Sequence, residues 1–188
     1  LVRQAKKRGV KVTAEVTPQH LIFTDEALRT FETRYKMNPP IRSDIHRDAC
    51  VEGLVDGTID AVVTDHAPHE WEEKDQEFNL APSGFVGLET SVGAMLTHLY
   101  HTGIIDLMTM VNVMSTAQAK ILGLDAGVIA PGKDADLTIL DLDKEWTVDS
   151  SKFYSKGKST PFDEMIFKGK AAAAIVNGKF VMKNGEVL

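Results

Sequence analysis

Apolar and polar positions along this chain alternate in segments that predict an α/β protein. Two β-branched runs, Val10–Val16 and Ile59–Thr64, predict buried strands. Between them, Ser43 is a suitable N-cap for a helix that extends to Asp56 and is ended by Gly57. A strand–helix–strand order predicts parallel strands, with the functional loops at the carboxyl ends of the strands.

Helical spacing and turn signals predict the other elements of the first two thirds of the chain. Helices are expected over residues 1–7, 24–31, 87–101, 106–114 and 116–122. Gly9 should end the first of these helices in the left-handed conformation, and Thr24 should cap the second. The segment Asn38-Pro39-Pro40 must be extended, because each proline disfavours a helical conformation in the residue before it.

After Gly123 the pattern becomes rich in strands. One strand is expected over Asp136–Leu142, and two more over Ala172–Lys179 and Phe180–Leu188. The dipeptides Asn177-Gly178 and Asn184-Gly185 are hairpin signals. The sequence therefore predicts an α/β part over residues 1–124 and a small β-rich part over residues 125–188.

Composition and charge restrict the partner classes. The net charge of −6 is spread over 188 residues without a basic patch, which argues against nucleic acid and anionic membranes. No apolar run reaches the ~18 residues that a membrane span needs. The single Cys50 excludes an intrachain disulfide and suits a reducing cytoplasm. Leu1 falls within a predicted helix that has no cap, so we expect more of the protein on its N-terminal side.

The segment Thr64–His69 is the strongest candidate for chemistry. It reads Thr-Asp-His-Ala-Pro-His and follows a predicted buried strand. An Asp at such a strand end can bind a metal ion and can also move a proton. A loop of more than twenty residues, between Asp65 and the helix expected from Gly87, is more often functional than accidental. No other cluster of His, Asp and Glu in the sequence completes a metal site, so we expect the remaining ligands outside this chain.

Several motifs occur in one order along the chain: Ala14–His20, Tyr35–Arg42, Asp56–Asp60, Thr64–His69, Ala81–Thr90 and the less specific Gly132–Leu137. In this order they resemble the bacterial-type dihydroorotases of the amidohydrolase superfamily. The resemblance extends over the whole chain. It is carried most specifically by Asn-Pro-Pro followed by Asp-His-Ala-Pro-His.

The resemblance implies a (β/α)8 barrel with a small β-sandwich built from both chain ends. A complete barrel needs ~250 residues, so this chain would supply the C-terminal part of it. Val10–Val16 would be barrel strand seven and Ile59–Thr64 barrel strand eight. The family's His-x-His motif and other ligands, for one or two zinc ions, would lie before Leu1.

The resemblance also implies roles for individual residues. Asp65 matches the residue that is both metal ligand and proton carrier, and His69 matches a contact to the substrate carboxylate. Asn38 matches a residue that hydrogen-bonds the pyrimidine ring, and Ser83-Gly84 matches a backbone contact to the substrate. Many relatives carry an aromatic residue where Ser83 stands, so this position departs from the commoner pattern.

Each of these residues also has a plainer interpretation. Asp65 can cap a turn after a strand, His69 can bond to backbone in its loop, and Asn38 can serve the turn before Pro39. In the same way, we interpret His20 as structural, and His66 as a residue that orients Asp65 or its loop.

The family reaction interconverts dihydroorotate and carbamoyl aspartate in pyrimidine biosynthesis. The resemblance therefore predicts a zinc-dependent cyclic amidohydrolase, with this chain inactive when isolated. Allantoinase and dihydropyrimidinase are the alternatives within the superfamily. A non-catalytic homologue that serves as a scaffold for aspartate transcarbamoylase is the alternative outside catalysis. A homodimer is expected in either case.

Overall fold

The computed structural model describes residues 1–188, which cluster into two compact units. The first unit comprises Leu1–Ser91 and Thr147–Ile166, and the second comprises Val92–Trp146 and Phe167–Leu188. No helix is long and apolar enough to cross a membrane. The division predicted at residue 124 concerns the barrel and sandwich of a complete protein, and it stays a prediction.

The predicted helices and strands occur in the predicted order, and two short helices that were not predicted occur at Pro18–Ile22 and Trp71–Lys74. The α-helices are α1 (Val2–Lys7), α2 (Pro18–Ile22), α3 (Asp44–Val55), α4 (Trp71–Lys74), α5 (Ser91–Met95), α6 (Leu107–Val111) and α7 (Ala117–Leu122). The strands are β1 (Glu15–Val16), β2 (Ala61–Val62), β3 (Leu137–Thr147), β4 (Ile166–Val176), β5 (Lys179–Lys183) and β6 (Glu186–Val187). Short 3-10 helices cover Asp25–Thr30, Thr33–Tyr35 and Ser150–Lys152.

The first two strands pair in parallel, as predicted, but they are much shorter than expected. Glu15 lies opposite Ala61, and Val16 lies opposite Val62. The predicted runs Val10–Val16 and Ile59–Thr64 were too long, because a residue counts as strand only where a neighbouring strand completes the ladder. In this two-stranded sheet, β1 and β2 have only each other as neighbours.

Helix α3 agrees with its prediction, whereas the helix predicted from Thr24 is a 3-10 helix. Ser43 occupies the N-cap position of α3 without a side-chain capping bond. Thr24 likewise precedes its helix without a capping bond, and Phe31 ends that helix in the left-handed conformation at φ 54°. Gly9 follows α1 at φ 78°, which confirms the left-handed end predicted there.

The later helices contain wider turns that the sequence pattern does not distinguish. The helix predicted from Gly87 begins at Ser91 and continues from α5 into a π-helix over Leu96–Tyr100. The two helices predicted between Asp106 and Leu122 form one helical run, in which a π-helix joins α6 to α7. A π-helix adds about one residue to each turn, and a single five-residue segment of it shifts the apolar pattern too little to be recognised in the sequence.

The β-rich tail forms a four-stranded sheet in the order β3-β4-β5-β6. Both predicted hairpins are confirmed, because β4 pairs with β5 and β5 with β6 in antiparallel fashion. Asn177-Gly178 and Asn184-Gly185 have positive φ at both positions, as a two-residue hairpin turn of type I′ requires. Strand β3 is longer than the predicted Asp136–Leu142 and extends to Thr147.

Each unit has its own apolar core. In the first unit, Phe162 is fully buried and its ring contacts those of Phe23 and Phe85 at centroid distances of 5.2 and 6.3 Å. In the second unit, Phe167 is fully buried against Trp146 at 5.5 Å. The first core supports the loops that follow β1 and β2, where the candidate residues lie.

Candidate functional site

The carboxyl ends of β1 and β2 open into a cleft of about 1020 Å³ within the first unit. Thr17 and His20 follow β1, and Asp65 follows β2. Asn38 contributes from the loop between these strands. The cleft therefore brings together two of the predicted site residues, Asp65 and Asn38, at the strand ends where functional loops were expected.

Asp65 is held in an uncommon backbone conformation and has an unused carboxylate. Its φ of 50° lies in the left-handed region, which Asp tolerates better than most residues. The side chain is exposed and makes no hydrogen bond or ion pair within the chain. The carboxylate of an Asp that capped a turn would accept hydrogen bonds from backbone N–H groups. The turn-cap interpretation therefore does not describe Asp65.

A short hydrogen-bond chain fixes the segment that carries Asn38. The Thr17 hydroxyl lies 2.6 Å from His20 Nδ1, and His20 Nε2 donates to the Pro39 carbonyl at 2.8 Å. Both ring nitrogens of His20 are therefore used inside the chain, which agrees with its predicted structural role. Asn38 itself is exposed beside the buried Met37, so its amide is free to meet a ligand.

His69 is bonded at both ring nitrogens. Nε2 lies 3.0 Å from the Ser83 carbonyl oxygen, and Nδ1 lies 3.2 Å from Glu73 Oε2. Both partners are acceptors, so the ring makes both bonds only when each nitrogen carries a proton. The backbone bond corresponds to the plainer interpretation of His69. A contact with a substrate carboxylate stays a prediction, and it requires one of these bonds to be exchanged.

Two segments are joined by backbone pairing near Asp65. His66 forms a parallel bridge with Phe85, and the Ala67 N–H donates to the Phe85 carbonyl at 3.0 Å. His66 Nδ1 accepts from the N–H groups of Gly87 and Leu88 at 3.2 and 3.3 Å. The prediction that His66 orients its loop is confirmed. The pairing places the predicted contact residues Ser83 and Gly84 beside the loop that carries Asp65 and His69.

Gly84 lies where a side chain has no room. Its φ is 126°, and a Cβ added there would come within 2.7 Å of the Ala67 Cβ and 3.1 Å of His69 Nε2. The Gly84 N–H donates to the Lys36 carbonyl at 2.9 Å. Gly157, which the sequence did not single out, is equally restricted, because its added Cβ would meet the His69 carbonyl oxygen at 2.7 Å. These two glycines allow the backbone to approach His69 closely.

Lys74 is a residue beside the contact segment that no sequence pattern singled out. It follows Trp71-Glu72-Glu73, a run that is typical of an exposed surface, yet only 3% of its surface is exposed. Its Nζ donates to the carbonyls of Pro82 and Gly84 at 3.0 and 2.9 Å. Burial, and secondarily the charge of Lys36, lower the pKa of Lys74 from 10.5 to about 8.

This pKa predicts a pH-dependent contribution to stability. Between about pH 8 and pH 10.5 the unfolded chain binds more protons at Lys74 than the folded chain, so stability rises with pH. The free energy of unfolding of the wild type, relative to Lys74→Met, should increase by about 2 kcal/mol from about pH 7 to about pH 9.5. Urea titrations of both full-length proteins at the two pH values measure this difference, and a constant difference would contradict the lowered pKa.

The donor set of the cleft fits a metal ion only in part. Nowhere in residues 1–188 do three His, Cys, Asp or Glu side chains converge as a metal site requires. The free Asp65 carboxylate is a chemically suitable ligand for a divalent cation, and zinc sites use at least three protein ligands. The chain can therefore contribute one ligand to a site that draws the others from elsewhere.

Comparisons with known proteins agree with this arrangement. The Amidohydrolase family model matches residues 2–181. The dihydroorotase of Pelotomaculum thermopropionicum is 50% identical over 184 residues, which are 98% of this chain and 43% of that protein. The dihydroorotase of Bacillus subtilis (strain 168) is 45% identical over 188 residues, which are 100% of this chain and 44% of that protein.

A solved structure shares the fold. L-Hydantoinase (dihydropyrimidinase) from Arthrobacter aurescens superimposes with a TM-score of 0.95 at 37% sequence identity, and the match covers 100% of this chain and 43% of that one. The α/β fold predicted from the sequence is thereby confirmed. The chain spans less than half the length of each of these three proteins.

Proposed function

Because this chain belongs to the amidohydrolase family, we propose that it forms part of a dihydroorotase, which interconverts dihydroorotate and carbamoyl aspartate. The observation that carries the proposal is the cleft in which the free Asp65 carboxylate, at the end of β2, and the Asn38 amide, from the loop between the two parallel strands, lie together. Relatives named dihydroorotase, at 45–50% identity over nearly the whole chain, support dihydroorotate as the substrate.

In the proposed reaction, Asp65 carries the proton. Water attacks the ring amide carbon, the bond from that carbon to the ring nitrogen breaks, and the nitrogen takes up a proton to become the NH2 of the carbamoyl group. A carboxylate can accept the proton from the attacking water and deliver it to the nitrogen, provided that it lies within hydrogen-bond reach of both. The Asp65 carboxylate is free to take this role, because its oxygens have no other partner in the chain.

Other residues of the chain hold the substrate. The Asn38 amide offers both a donor and an acceptor, which match the N–H and C=O of a cyclic amide. The His69 ring lies beside the Ser83-Gly84 contact segment, where an anionic carboxylate is expected, and an imidazole N–H there is a suitable donor to that carboxylate. A zinc ion held in part by Asp65 would supply Lewis acidity and lower the pKa of water toward ~7.

Hydantoinase is the second candidate function, and one observation favours it. The solved L-hydantoinase covers the whole chain with a TM-score of 0.95. The uncharged rings of hydantoin and dihydrouracil lack the carboxylate of dihydroorotate, so the two functions differ in their need for positive charge. The ammonium groups of Lys36 and Lys74, which bind carbonyls of the loop around the contact segment, favour the anionic substrate.

A substrate panel separates the two functions. The full-length protein that carries this sequence, purified with zinc, should hydrolyse dihydroorotate with a kcat/KM at least about 100-fold above that for hydantoin or dihydrouracil. Carbamoyl aspartate formation measures the first activity, and loss of ring absorbance measures the others. The Asp65→Asn variant controls for contaminating hydrolases. A preference for the uncharged rings would reverse the assignment.

Substitution of Asn38 should weaken substrate binding more than catalysis. Asn38→Ala removes a donor and an acceptor from the ring contact, and each hydrogen bond contributes about 0.5–1.5 kcal/mol. We expect KM for dihydroorotate to rise by about tenfold with kcat within about threefold of the wild type. Steady-state kinetics on the full-length protein measure the split, and Asn79→Ala is the matched control. Unchanged KM would remove Asn38 from the site.

The remaining features of the proposal follow from the family. We infer that the chain supplies the C-terminal part of a (β/α)8 barrel over residues 1–124 and strands of a small β-sandwich over residues 125–188. One or two zinc ions would take further ligands from the N-terminal part, so the isolated chain should be inactive. A cytoplasmic homodimer, with possible binding to aspartate transcarbamoylase, belongs to the same proposal.

A further inference from the structure

Three consecutive backbone carbonyls turn toward basic side chains in the segment Pro82-Ser83-Gly84, hereafter the 82–84 segment. Lys74 Nζ binds the carbonyls of Pro82 and Gly84, the outer two, at 3.0 and 2.9 Å. His69 Nε2 binds the carbonyl of Ser83 between them at 3.0 Å. The Lys74 ammonium therefore binds the residues on either side of Ser83, and His69 binds Ser83 itself.

Most of the hydrogen-bonding groups of the 82–84 segment are used within the chain. Pro82 has no N–H, and the Gly84 N–H donates to the Lys36 carbonyl at 2.9 Å. All three carbonyls are used, as described above. The Ser83 N–H and hydroxyl are the only hydrogen-bonding groups of the 82–84 segment without a partner in the chain, and Ser83 is exposed. The segment therefore offers the Ser83 donors to a ligand, whereas its three backbone carbonyls are all bonded within the chain.

From this geometry we propose that Lys74 is a positioning residue for substrate binding: it fixes the 82–84 segment so that the Ser83 N–H faces an acceptor oxygen of the substrate. Lys74 does not touch the substrate, because it is almost fully buried. The inference rests on the proposed function, in which this segment contacts dihydroorotate. It adds the residue that orients that contact.

The cost of burying Lys74 supports a specific role. A buried ammonium loses its hydration, and its lowered pKa of about 8 reflects that loss. A neutral side chain of similar length would fill the same space without this cost. An ammonium can, however, donate up to three charge-assisted hydrogen bonds, which are about twice as strong as neutral ones. Lys74 uses two of them on carbonyls separated by one residue.

A second lysine acts on the adjacent part of the loop. Lys36 Nζ donates to the carbonyls of Phe78 and Asn79 at 2.6 and 3.0 Å. The backbone carbonyl of the same Lys36 accepts the Gly84 N–H. Because Lys36 precedes Asn38 by two residues, it links the 82–84 segment to the loop of the proposed ring contact. Hydrogen bonds from the side chains of Lys36, His69 and Lys74 thus hold this loop at several points, although the loop has no regular secondary structure.

The test uses kinetics on the full-length enzyme. Lys74→Met keeps the length of the side chain and removes the donors. We expect KM for dihydroorotate to rise by at least about tenfold while kcat changes by less than about threefold, because Asp65 is untouched. Lys74→Gln, which keeps an N–H donor without the charge, should give an intermediate KM. Lys120→Met, at an exposed position on α7, is the control and should match the wild type.

The outcomes separate this inference from the proposed function. If the wild type hydrolyses dihydroorotate but KM is unchanged in Lys74→Met, the positioning role is overturned and the proposed function stands. A fall in kcat at unchanged KM in either variant also overturns it. If Lys74→Met does not fold, the KM of Lys74→Gln decides in the same way. A wild type that does not hydrolyse dihydroorotate would overturn the proposed function, and the inference with it.

Discussion

Asp65→Asn in the full-length enzyme should reduce kcat for dihydroorotate by a factor of about 10²–10⁴ or more. General acid–base catalysis alone is typically worth about that factor, and Asn cannot carry the proton. The substitution also removes the charge of a proposed metal ligand while keeping the size of the side chain. Because Asp65 makes no bond within the chain, the fold should be unaffected. Turnover, zinc content and thermal unfolding of the same preparation measure the three effects.

The control for this substitution is Asp134→Asn, which removes the same charge from an exposed residue of the β-rich tail. Its kcat and zinc content should equal those of the wild type. If Asp65→Asn retained both its zinc and a kcat within about tenfold of the wild type, Asp65 would not be the proton carrier. Loss of zinc together with activity would support its role as a ligand.

The sequence predicted the family of the chain better than the extent of its strands. The ordered motifs resembled dihydroorotases, and the relatives at 45–50% identity confirm that resemblance. A motif identifies a family by its residue types at fixed positions, and this does not depend on the length of any strand. The strands, by contrast, were predicted from apolar runs, and ladder formation also depends on neighbours, so only Glu15–Val16 and Ala61–Val62 are paired.

The same distinction explains why Lys74 and Gly157 escaped sequence analysis. Lys74 lies next to two acidic residues in a pattern that normally indicates a solvated helix, yet it is buried and its ammonium binds two carbonyls of the 82–84 segment. Gly157 lies far along the chain from the His69 backbone that it approaches. The local sequence pattern predicts the helix or strand to which a residue belongs. It does not report which distant backbone the fold brings against that element.

Gly84→Ala should damage both stability and substrate binding. At φ 126° a side chain is strained, and the new Cβ would lie 2.7 Å from the Ala67 Cβ and 3.1 Å from His69 Nε2. Strain and overpacking together should lower the free energy of unfolding by about 2–4 kcal/mol. The backbone must then move away from His69, and a displacement of about 1 Å in a site can cost about 100-fold in rate. We expect kcat/KM for dihydroorotate to fall by about that factor.

Two further variants separate the causes. Gly57 also has a positive φ, of 77°, but a Cβ added there meets nothing within 4 Å. Gly57→Ala should therefore cost only about 1 kcal/mol and leave kcat/KM unchanged. Adding Ala67→Gly to Gly84→Ala removes the closest contact and should restore part of the lost stability and kcat/KM. Activity restored without stability would show that the clash with the Ala67 methyl group is what displaces the segment in Gly84→Ala. If Gly84→Ala alone behaved like Gly57→Ala, the close approach of the 82–84 segment to His69 would not matter for function.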